Sequence, residues 1–378
     1  MIICHARTTP KRRVRTAIAA LALAALALTG CSSTEASSGS ASGCAGADTP
    51  LTELKTISNP REWVGESSGC LGNTSITPVA DTVTSQLPVT VTDNQGTEVT
   101  ITDTSRILAL DIYGSLAATV FGLGLGDNVV GRDTSTGFDE AKNLPLVTQN
   151  GHELNGEAIL SLEPSVIITD SSIGPWDVIL QMRDSGIPVV VVTPERNLEN
   201  TGEIIDVVAS ALGVPEQGEA LKLRVQTDLD AVVSDVASIT PTNVADRPRI
   251  IFLYARGNAG IYYIFGTGSG TDSLITSLGG VDVATEIGWQ GMRPMTAEAL
   301  VDAQPDLILM MTKGLESVGG VDGLLERIPA VAETPAGQHR RIVDMSDYEI
   351  LSFGPRSPAV VDALARAIYA PEESGPIE

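Results

Sequence analysis

Two 15-residue segments of the chain align without a gap, and each predicts a short amphipathic helix, a proline and an apolar strand. They are NGEAILSLEPSVIIT (155–169) and TAEALVDAQPDLILM (296–310). Each begins with a helix-capping residue and carries a glutamate in the first helical turn. A helix that leads into an apolar strand is the repeating unit of a parallel sheet covered by helices. The repeat therefore predicts two lobes of the same α/β kind.

The regions around the repeat continue this alternation. Strand-like and helical runs alternate from Arg106 to Val192, and the expected strands include NVVGR (128–132) and PLVTQ (145–149). Residues 198–239 carry almost only helix signals, and the part from Glu219 onward would be about 30 Å long as a helix. We therefore expect an α/β fold with two Rossmann-like lobes, mainly parallel sheets and a single long helix joining them. The second series is expected to have strands at 249–255, 261–265, 306–311 and 341–344, and a last helix near 358–369.

These patterns divide the chain into five parts. The hairpin VTVTDNQGTEVTIT, at residues 89–102, opens the first lobe, because strand-like residues alternate on both sides of a turn. Residues 32 to about 48 are mostly Ser, Gly, Ala and Thr, which cannot bury enough apolar surface to fold. The predicted parts are an export signal (1–30), a lipid-anchored tether with an irregular arm (31–86), the first lobe (87–197), a helical connector (198–240) and the second lobe (241–378).

The first 30 residues have the composition of an export signal. Basic residues between Arg7 and Arg15 precede an apolar run from Ala17 to Leu28, which is short for a membrane span. LTGC, ending at Cys31, follows and resembles the lipobox of bacterial lipoproteins. In that motif the signal is cleaved before the cysteine, which is then lipidated. We expect Cys31 to anchor the mature chain to the outer surface of the cell membrane.

Charge excludes one class of partner. Removing the signal leaves 19 basic and 47 acidic residues, a net charge of −28. Proteins that bind nucleic acid neutralise phosphates with Lys and Arg, so we expect no nucleic-acid partner. The negative charge favours a soluble chain, and we expect a monomer whose membrane attachment comes from the lipid.

Two cysteines remain beyond the lipobox. Cys44 and Cys70 lie in the irregular arm, and in an oxidising exported setting they are expected to form a disulfide rather than a metal site. A metal site would need further ligands, and histidine is nearly absent from the chain.

The stretch RIIFLYARGNAG (249–260) predicts a buried strand that ends in a tyrosine and an arginine. Tyr254 and Arg256 are two residues apart, so they project from the same side of a strand. Ligands of open α/β sheets bind beyond the carboxyl ends of the strands. A nearby positive charge favours phenolate, so Tyr254 is a candidate ligand for ferric iron. The alternative is a strand-end tyrosine with its hydroxyl in water and an arginine paired with a surface acid.

Histidine supplies a partner for this tyrosine. His5 leaves with the signal, and His339 in GQHRR is expected to be a solvated turn residue. His152 in QNGHELNGE follows a predicted strand and precedes the first-lobe copy of the repeated helix, at the expected ligand-binding edge. A lone loop histidine is often only a solvated polar residue, so its role depends on Tyr254 in the other lobe.

One histidine and one tyrosine suit haem better than zinc or manganese. A zinc or manganese site normally needs three or four His and carboxylate ligands, whereas a porphyrin supplies four nitrogens and needs only axial ligands. Arg293, Arg356 and Ser269, with the backbone amides of GTGSGTDS (266–273), are candidate partners for the haem propionates. Each also has an ordinary interpretation as a surface arginine or a helix cap.

From about Leu87 to Tyr369 the chain resembles the substrate-binding lipoproteins of ABC importers, in the class whose two lobes share one long helix. More closely, it is similar to the HmuT-like haem-binding subunits of haem-uptake importers. The resemblance lies in VTVTDNQGTEVTI, RILALDIYGSLAATVFGLGLGDNVVGRD, the two repeated phrases, YARG and the late GPR. It implies haem b as the transported ligand, with His152 and Tyr254 as axial iron ligands and Arg256 hydrogen-bonded to the tyrosine. It also implies a permease and a cytoplasmic ATPase as partners, and no catalysis.

The chain departs from the family at one point. Relatives often carry a glutamate in the first helix of each lobe to meet arginines of the permease, and Ala118 stands at that place in the first lobe. Asp272 is the candidate in the second lobe.

Three other functions stay open on the sequence. A ferric-siderophore or cobalamin receptor of the same class would use Tyr254 and Arg256 to line a pocket without touching iron. An exported metal-dependent enzyme would need an acid/base cluster that no motif supplies. A structural adhesin would have no small-molecule ligand.

Overall fold

A computed structural model describes residues 43–377. The predicted export signal, the lipidation site Cys31 and most of the tether lie outside the described residues. None of the helices in the described range is long and apolar enough to cross a membrane.

The first lobe is built on a short parallel sheet. Strand β5 pairs with β8, and β8 pairs with β9, all in parallel. Every residue of these strands is buried, as expected when helices cover both faces. The elements up to the end of this lobe are β1 (Cys44–Ala45), β2 (Ser67–Gly69), β3 (Val89–Thr92), β4 (Glu98–Ile101), β5 (Ile107–Leu110), α1 (Ser115–Gly122), β6 (Thr148–Gln149), β7 (Glu153–Leu154), α2 (Gly156–Ser161), β8 (Val166–Thr169), α3 (Trp176–Asp184), β9 (Val189–Val191) and α4 (Thr201–Ala211).

Two of the strands predicted for this lobe are largely wrong. NVVGR contributes only two isolated bridges, from Val129 to Ile107 and from Arg132 to Leu146, and does not form a continuous strand. PLVTQ forms a strand only at Thr148–Gln149, where it pairs antiparallel with β7. The β6–β7 hairpin carries His152 in its turn. The hairpin predicted at 89–102 is present as β3 and β4.

The second lobe has a larger mixed sheet. Strand β10 lies between the antiparallel β11 and the parallel β14, and β15 extends the sheet beyond β14. Its strands match the predicted ones to within a residue or two. The elements from the connector onward are α5 (Pro215–Ile239), β10 (Arg249–Arg256), β11 (Ile261–Phe265), α6 (Thr271–Ser277), β12 (Val281–Asp282), α7 (Val283–Glu286), β13 (Met292–Pro294), α8 (Ala297–Ala303), β14 (Leu307–Met311), α9 (Thr312–Val318), α10 (Gly320–Arg327), α11 (Pro329–Ala332), α12 (Pro335–Gln338), β15 (Ile342–Met345), α13 (Ser357–Tyr369) and β16 (Gly375–Pro376). Single 3₁₀ turns lie at Leu51–Glu53, Gly126–Asn128, Val244–Asp246 and Gly257–Ala259.

Helix α5 joins the two lobes and belongs to both cores. Its 25 residues include Leu221 and Val225, which pack in the first-lobe core. Leu229, Val232 and Val236, further along, pack in the second-lobe core with α13. The long connecting helix predicted from the sequence is therefore present and starts four residues earlier than Glu219.

The arm, residues 43–86, is more ordered than its composition suggests. Strand β1 pairs with β16, and β2 adds a parallel edge strand to β15. The arm then crosses to the first lobe, where Ile76 is buried in the core. Cys44 and Cys70, the two cysteines expected to pair, form a disulfide with Cα atoms 5.7 Å apart. The second lobe therefore includes the first part of the arm, and the arm is a second covalent crossing beside α5.

The arm also covers a buried charge. The Arg341 side chain is fully buried, and its guanidinium carbon lies 4.4 Å from the Trp63 ring centre. It donates to the carbonyls of Ala367 and Ile368 at the end of α13 and to the Ser67 hydroxyl. Burial lowers the pKa of Arg341 to about 9. The arm thus encloses a cation that caps the last helix.

Candidate ligand-binding cleft

Tyr254 and Arg256 lie at the carboxyl end of β10. The guanidinium carbon of Arg256 is 4.7 Å from the centre of the Tyr254 ring, which is within the range of a cation–π contact. Arg256 Nη2 donates to Asp347 Oδ1 over 3.1 Å, and Nη1 donates to the carbonyl of Ala255. The resemblance implies a hydrogen bond from Arg256 to the Tyr254 hydroxyl. In this structure the two acceptors hold the guanidinium over the ring instead.

Aromatic side chains surround Tyr254 on the same face of the sheet. Tyr254 pairs with Tyr263 on β11, and directly paired residues of antiparallel strands point to one face. The Tyr254 ring centre is 6.4 Å from that of Tyr263 and 6.2 Å from that of Phe265. Met292 on β13 pairs with Phe265 and is 55% exposed. This lobe therefore presents a largely apolar wall beside the phenol, which suits a flat aromatic ligand.

His152 lies half-buried in the β6–β7 turn of the first lobe. Its Nδ1 is 3.4 Å from Ser135 Oγ, and the Ser135 hydroxyl donates to the carbonyl of Ile112 over 2.6 Å. Because the serine hydrogen is already donated, the serine oxygen accepts from Nδ1–H. This favours the tautomer in which Nε2 keeps a free lone pair, the form that binds a metal.

Contacts between the lobes connect the surroundings of the histidine with the tyrosine–arginine pair. Its partner Ser135 lies two residues from Gly137, which packs against Tyr348, and the neighbouring Asp347 accepts from Arg256. Burial lowers the pKa of His152, the positive charge of Arg256 lowers it further, and the negative charge of Asp347 acts in the opposite direction. The lowered pKa favours the neutral imidazole, which is the form that binds a metal.

Direct packing also joins the lobes beside the cleft. Tyr348, which follows β15, lies so close to Gly137 of the first lobe that a Cβ there would be 2.6 Å from its ring. Tyr113 of the first lobe meets Phe353 edge-to-face, with ring centres 6.1 Å apart. The two lobes are therefore in direct contact at two places.

Three residues expected to support the ligand have other partners. Arg293 is paired with Ile264, whose side chain lies in the core on the other face of the sheet from Tyr254. Paired residues point to the same face, so the pairing of Arg293 does not favour contact with a ligand bound at Tyr254. Arg356 is buried, forms an ion pair with Glu349 and donates to the carbonyl of Tyr348. Burial lowers the pKa of Arg356 and raises that of Glu349.

The third of these residues, Ser269, donates to the carbonyl of Gly266 over 2.6 Å in the loop before α6. A role for Arg293, Arg356 or Ser269 toward propionates stays a prediction.

The structure also shows the surroundings of the two residues considered for docking to the permease. Ala118 is fully buried in α1, so a side chain there cannot meet a partner. The Asp272 carboxylate at the start of α6 accepts from the backbone amides of Gly268 and Gly270. A docking role for Asp272 stays a prediction.

His339 is half-buried and its Nδ1 is a buried atom, so the expectation of a solvated turn residue is wrong.

A buried acidic cluster supports the first-lobe edge of the cleft. Arg196 Nη2 lies 2.7 Å from Asp170 and 3.4 Å from Asp111, at the ends of β8 and β5. Asp133 accepts from the backbone amide of Asp111. Burial, followed by the negative charge of Asp111, raises the pKa of Asp133 to about 7 and that of Asp170 to about 6. The cluster ties together the loops that lead to Tyr113 and Ser135.

Sequence reasoning missed Lys313, Asp347 and Tyr348. The position of each was available as a signal, because each follows the carboxyl end of β14 or β15. Their partners were not available, since no sequence spacing links Asp347 to Arg256 or Tyr348 to Gly137. Within residues 43–377 no group of three or more His, Cys, Asp or Glu side chains is arranged to hold a metal ion.

The fold and cleft define a two-lobed binding protein, and comparison with known proteins places it in a family. Residues 112–349 match the model of the periplasmic binding protein family. The chain belongs to this family. A curated relative, an uncharacterized ABC transporter substrate-binding lipoprotein, YvrC of Bacillus subtilis (strain 168), is 26% identical over 294 residues, covering 76% of this chain and 87% of the relative.

Solved structures show a more specific similarity. The heme-binding protein HmuT is 40% identical, with a TM-score of 0.78 over 82% of this chain and 99% of that one. The periplasmic heme-binding protein RhuT from Roseiflexus sp. RS-1, in its apo form, is 36% identical, with a TM-score of 0.64 over 71% of this chain and 99% of that one. The chain is therefore similar to substrate-binding proteins that carry two α/β lobes.

Proposed function

We propose that this protein is the extracytoplasmic receptor of an ABC importer and that it captures haem, as haem b, between its two lobes. Iron is bound by Nε2 of His152 from the first lobe and by the phenolate oxygen of Tyr254 from the second. The observation that carries the proposal is a set of contacts that runs from one lobe to the other. Ser135, the partner of His152, lies two residues from Gly137, which packs against Tyr348. The neighbouring Asp347 accepts from Arg256, whose guanidinium lies over the Tyr254 ring.

The chemistry of the donors supports this ligand. A porphyrin leaves only the axial positions of its iron to the protein, and imidazole and phenolate are both known axial ligands of haem iron. Tyr263 and Met292 beside Tyr254 supply apolar surface for the macrocycle. Arg256, already over the ring, can stabilise the phenolate that iron requires.

The comparisons support the same assignment. HmuT and RhuT are named as heme-binding proteins. Variants of HmuT have been solved in which a histidine, a tyrosine or an arginine is replaced by alanine, and the arginine lies two positions after the tyrosine. Tyr254 and Arg256 have this spacing here.

Haemin titration tests the proposal. The purified protein is expected to develop a Soret band that saturates at one haem per chain, and His152→Ala and Tyr254→Phe are each expected to shift it and to weaken binding at least about tenfold, or ~1.4 kcal/mol. His339→Ala and Tyr262→Phe are matched controls, since Tyr262 pairs with Ala255 and points to the opposite face of the sheet. Unchanged spectra in both site variants, or preference for a ferric siderophore or cobalamin, would contradict the proposal.

Delivery and attachment complete the proposed function. The receptor, a monomer held at the membrane by lipid on Cys31, passes haem to a permease driven by a cytoplasmic ATPase and catalyses no reaction. Cys31→Ser is expected to release the protein from the membrane fraction without changing haem affinity. Asp272→Ala is expected to reduce haem-dependent growth while haem binding is kept.

A further inference from the structure

The loop that follows β15 carries two adjacent residues, one of which contacts the second lobe and the other the first lobe. Asp347 points to the tyrosine–arginine pair of its own lobe, and Tyr348 packs against the first lobe. Neither residue belongs to the proposed ligand set. Both contacts are therefore made by neighbouring residues of one loop.

Asp347 is anchored at both carboxylate oxygens. Its Oδ1 accepts from Arg256 Nη2 over 3.1 Å, and its Oδ2 accepts from the backbone amide of Lys313 over 2.9 Å, in the first turn of α9. The Asp347 side chain is 11% exposed, whereas that of Arg256 is 34% exposed. A hydrogen bond between two charged groups in this setting is stronger and more directional than one between neutral groups. Without Asp347, the carbonyl of Ala255 would be the remaining acceptor for the guanidinium, and the side chain would be freer to turn toward water.

Tyr348 is confined from two directions. Lys313 Nζ donates to its hydroxyl over 2.9 Å and lies 4.4 Å from the ring centre. On the other side the ring rests on the backbone at Gly137, where an added Cβ would be 2.6 to 3.0 Å from three ring atoms. Gly137 is two residues from Ser135, whose hydroxyl contacts His152 Nδ1.

We propose that Asp347 and Tyr348 are positioning residues: Asp347 holds Arg256 against the Tyr254 ring, and Tyr348 sets the spacing between the lobes so that His152 and Tyr254 reach one iron. This inference rests on the proposed haem ligation. It extends that function, because two residues that are not proposed as iron ligands set the orientation of Arg256 and the distance between the lobes.

A double-mutant cycle tests the role of Asp347. Asp347→Ala and Arg256→Ala are each expected to speed haem dissociation several-fold and to shift the tyrosinate-to-iron charge-transfer band in the same direction. The double variant is expected to be no worse than Arg256→Ala alone, since Asp347 acts through the arginine. Asp322→Ala, which breaks the exposed pair with Arg340, is the matched control and should leave both readouts unchanged. Additive effects, or no effect of Asp347→Ala, would overturn this role.

Tyr348 is tested by size rather than by charge. Tyr348→Phe loses the hydrogen bond from Lys313 but keeps the ring against Gly137, so it is expected to keep the imidazole signature in the spectrum of bound haem. Tyr348→Ala is expected to lose that signature while the tyrosinate signature stays. Equal spectra for the two variants would contradict the spacing role. Thermal unfolding of both variants identifies any general loss of fold.

Two haem-free measurements separate this inference from the proposed function. Hydrogen exchange of residues 133–138 is expected to be faster in Tyr348→Ala than in Tyr348→Phe. The NMR order parameter of the Arg256 Nε–H bond is expected to fall in Asp347→Ala. If both changes occur and haem is not bound by the unaltered protein, the proposed ligand is wrong and the positioning loop stands. If haem binds but neither change occurs, the loop assignment is wrong.

Discussion

Arg256 lies with its guanidinium carbon 4.7 Å from the centre of the Tyr254 ring, at the end of the strand that forms the middle of the second-lobe sheet. This contact places a permanent positive charge beside a phenol on a wall of aromatic side chains. The same charge reaches His152 of the first lobe. One arginine therefore acts on both His152 and Tyr254, which belong to different lobes.

The pKa of His152 is expected to rise when Arg256 is replaced by Ala. Burial and the positive charge of Arg256 both lower this pKa, so removing the charge makes the protonated imidazole less unfavourable. Proton NMR titration of the haem-free protein measures it, with His152→Ala used to assign the signal. Arg256→Lys keeps the charge and is the control. A pKa that falls or does not move would show that the two groups are further apart than the structure places them.

Ser135→Ala is expected to weaken haem binding about tenfold while leaving the tyrosine ligand in place. Ser135 orients the imidazole through Nδ1, and partners of this kind are worth about 10-fold to 100-fold in metal affinity. Affinity is measured by haemin titration. Ser161→Ala on α2 is the control, because that hydroxyl bonds only within its own helix. Equal affinities for the two variants would mean that Ser135 does not orient the ring.

Asp133 is expected to make the protein less stable as the pH rises from about 4 to about 7. Burial raises the pKa of Asp133 to about 7, above its ordinary value of 3.8, so in this range the folded protein keeps a proton that the unfolded chain releases. The contribution to stability is full below pH 4 and is lost as the pH passes through 7. Denaturant unfolding at several pH values measures it. Asp133→Asn should flatten this part of the profile, and an unchanged slope would contradict the assignment.

Loss of the Cys44–Cys70 disulfide is expected to lower the free energy of unfolding by about 3 kcal/mol, because the bridge restricts the unfolded chain. The effect should be large for an arm with so few apolar residues. Cys44→Ser/Cys70→Ser is compared with the unaltered protein in denaturant unfolding. Faster hydrogen exchange in β2, which the bridge borders, is expected in the same variant. Equal stability would mean that strand pairing and core packing hold the arm without the bridge.

The repeated α/β units and the long helix could be predicted from the sequence because local signals mark them. Pro215 begins the connecting helix, and apolar runs such as 249–255 define buried strands. The edge strand at Ser67–Gly69 could not be predicted, since three small residues carry no strand pattern and are held by pairing with β15. The arm as a whole takes its structure from the lobes that it covers.

Some residues of the candidate site could likewise be predicted from the sequence, and others could not. Tyr254, Arg256 and His152 could be found because strand spacing and position at the carboxyl ends of strands are local properties. Asp347 and Tyr348 lie equally close to a strand end, but their importance comes from contacts with Arg256 and Gly137, which are distant in sequence. The orientation of Arg256, over the ring instead of at the hydroxyl, depends on Asp347 for the same reason.

A crystal structure of the haem-loaded protein tests the central claim most directly. We expect a single iron bonded to Nε2 of His152 on one side of the porphyrin and to the Tyr254 oxygen on the other, with both lobes in contact with the macrocycle. Haem bound outside the cleft, or inside it with neither side chain on the iron, would contradict the account.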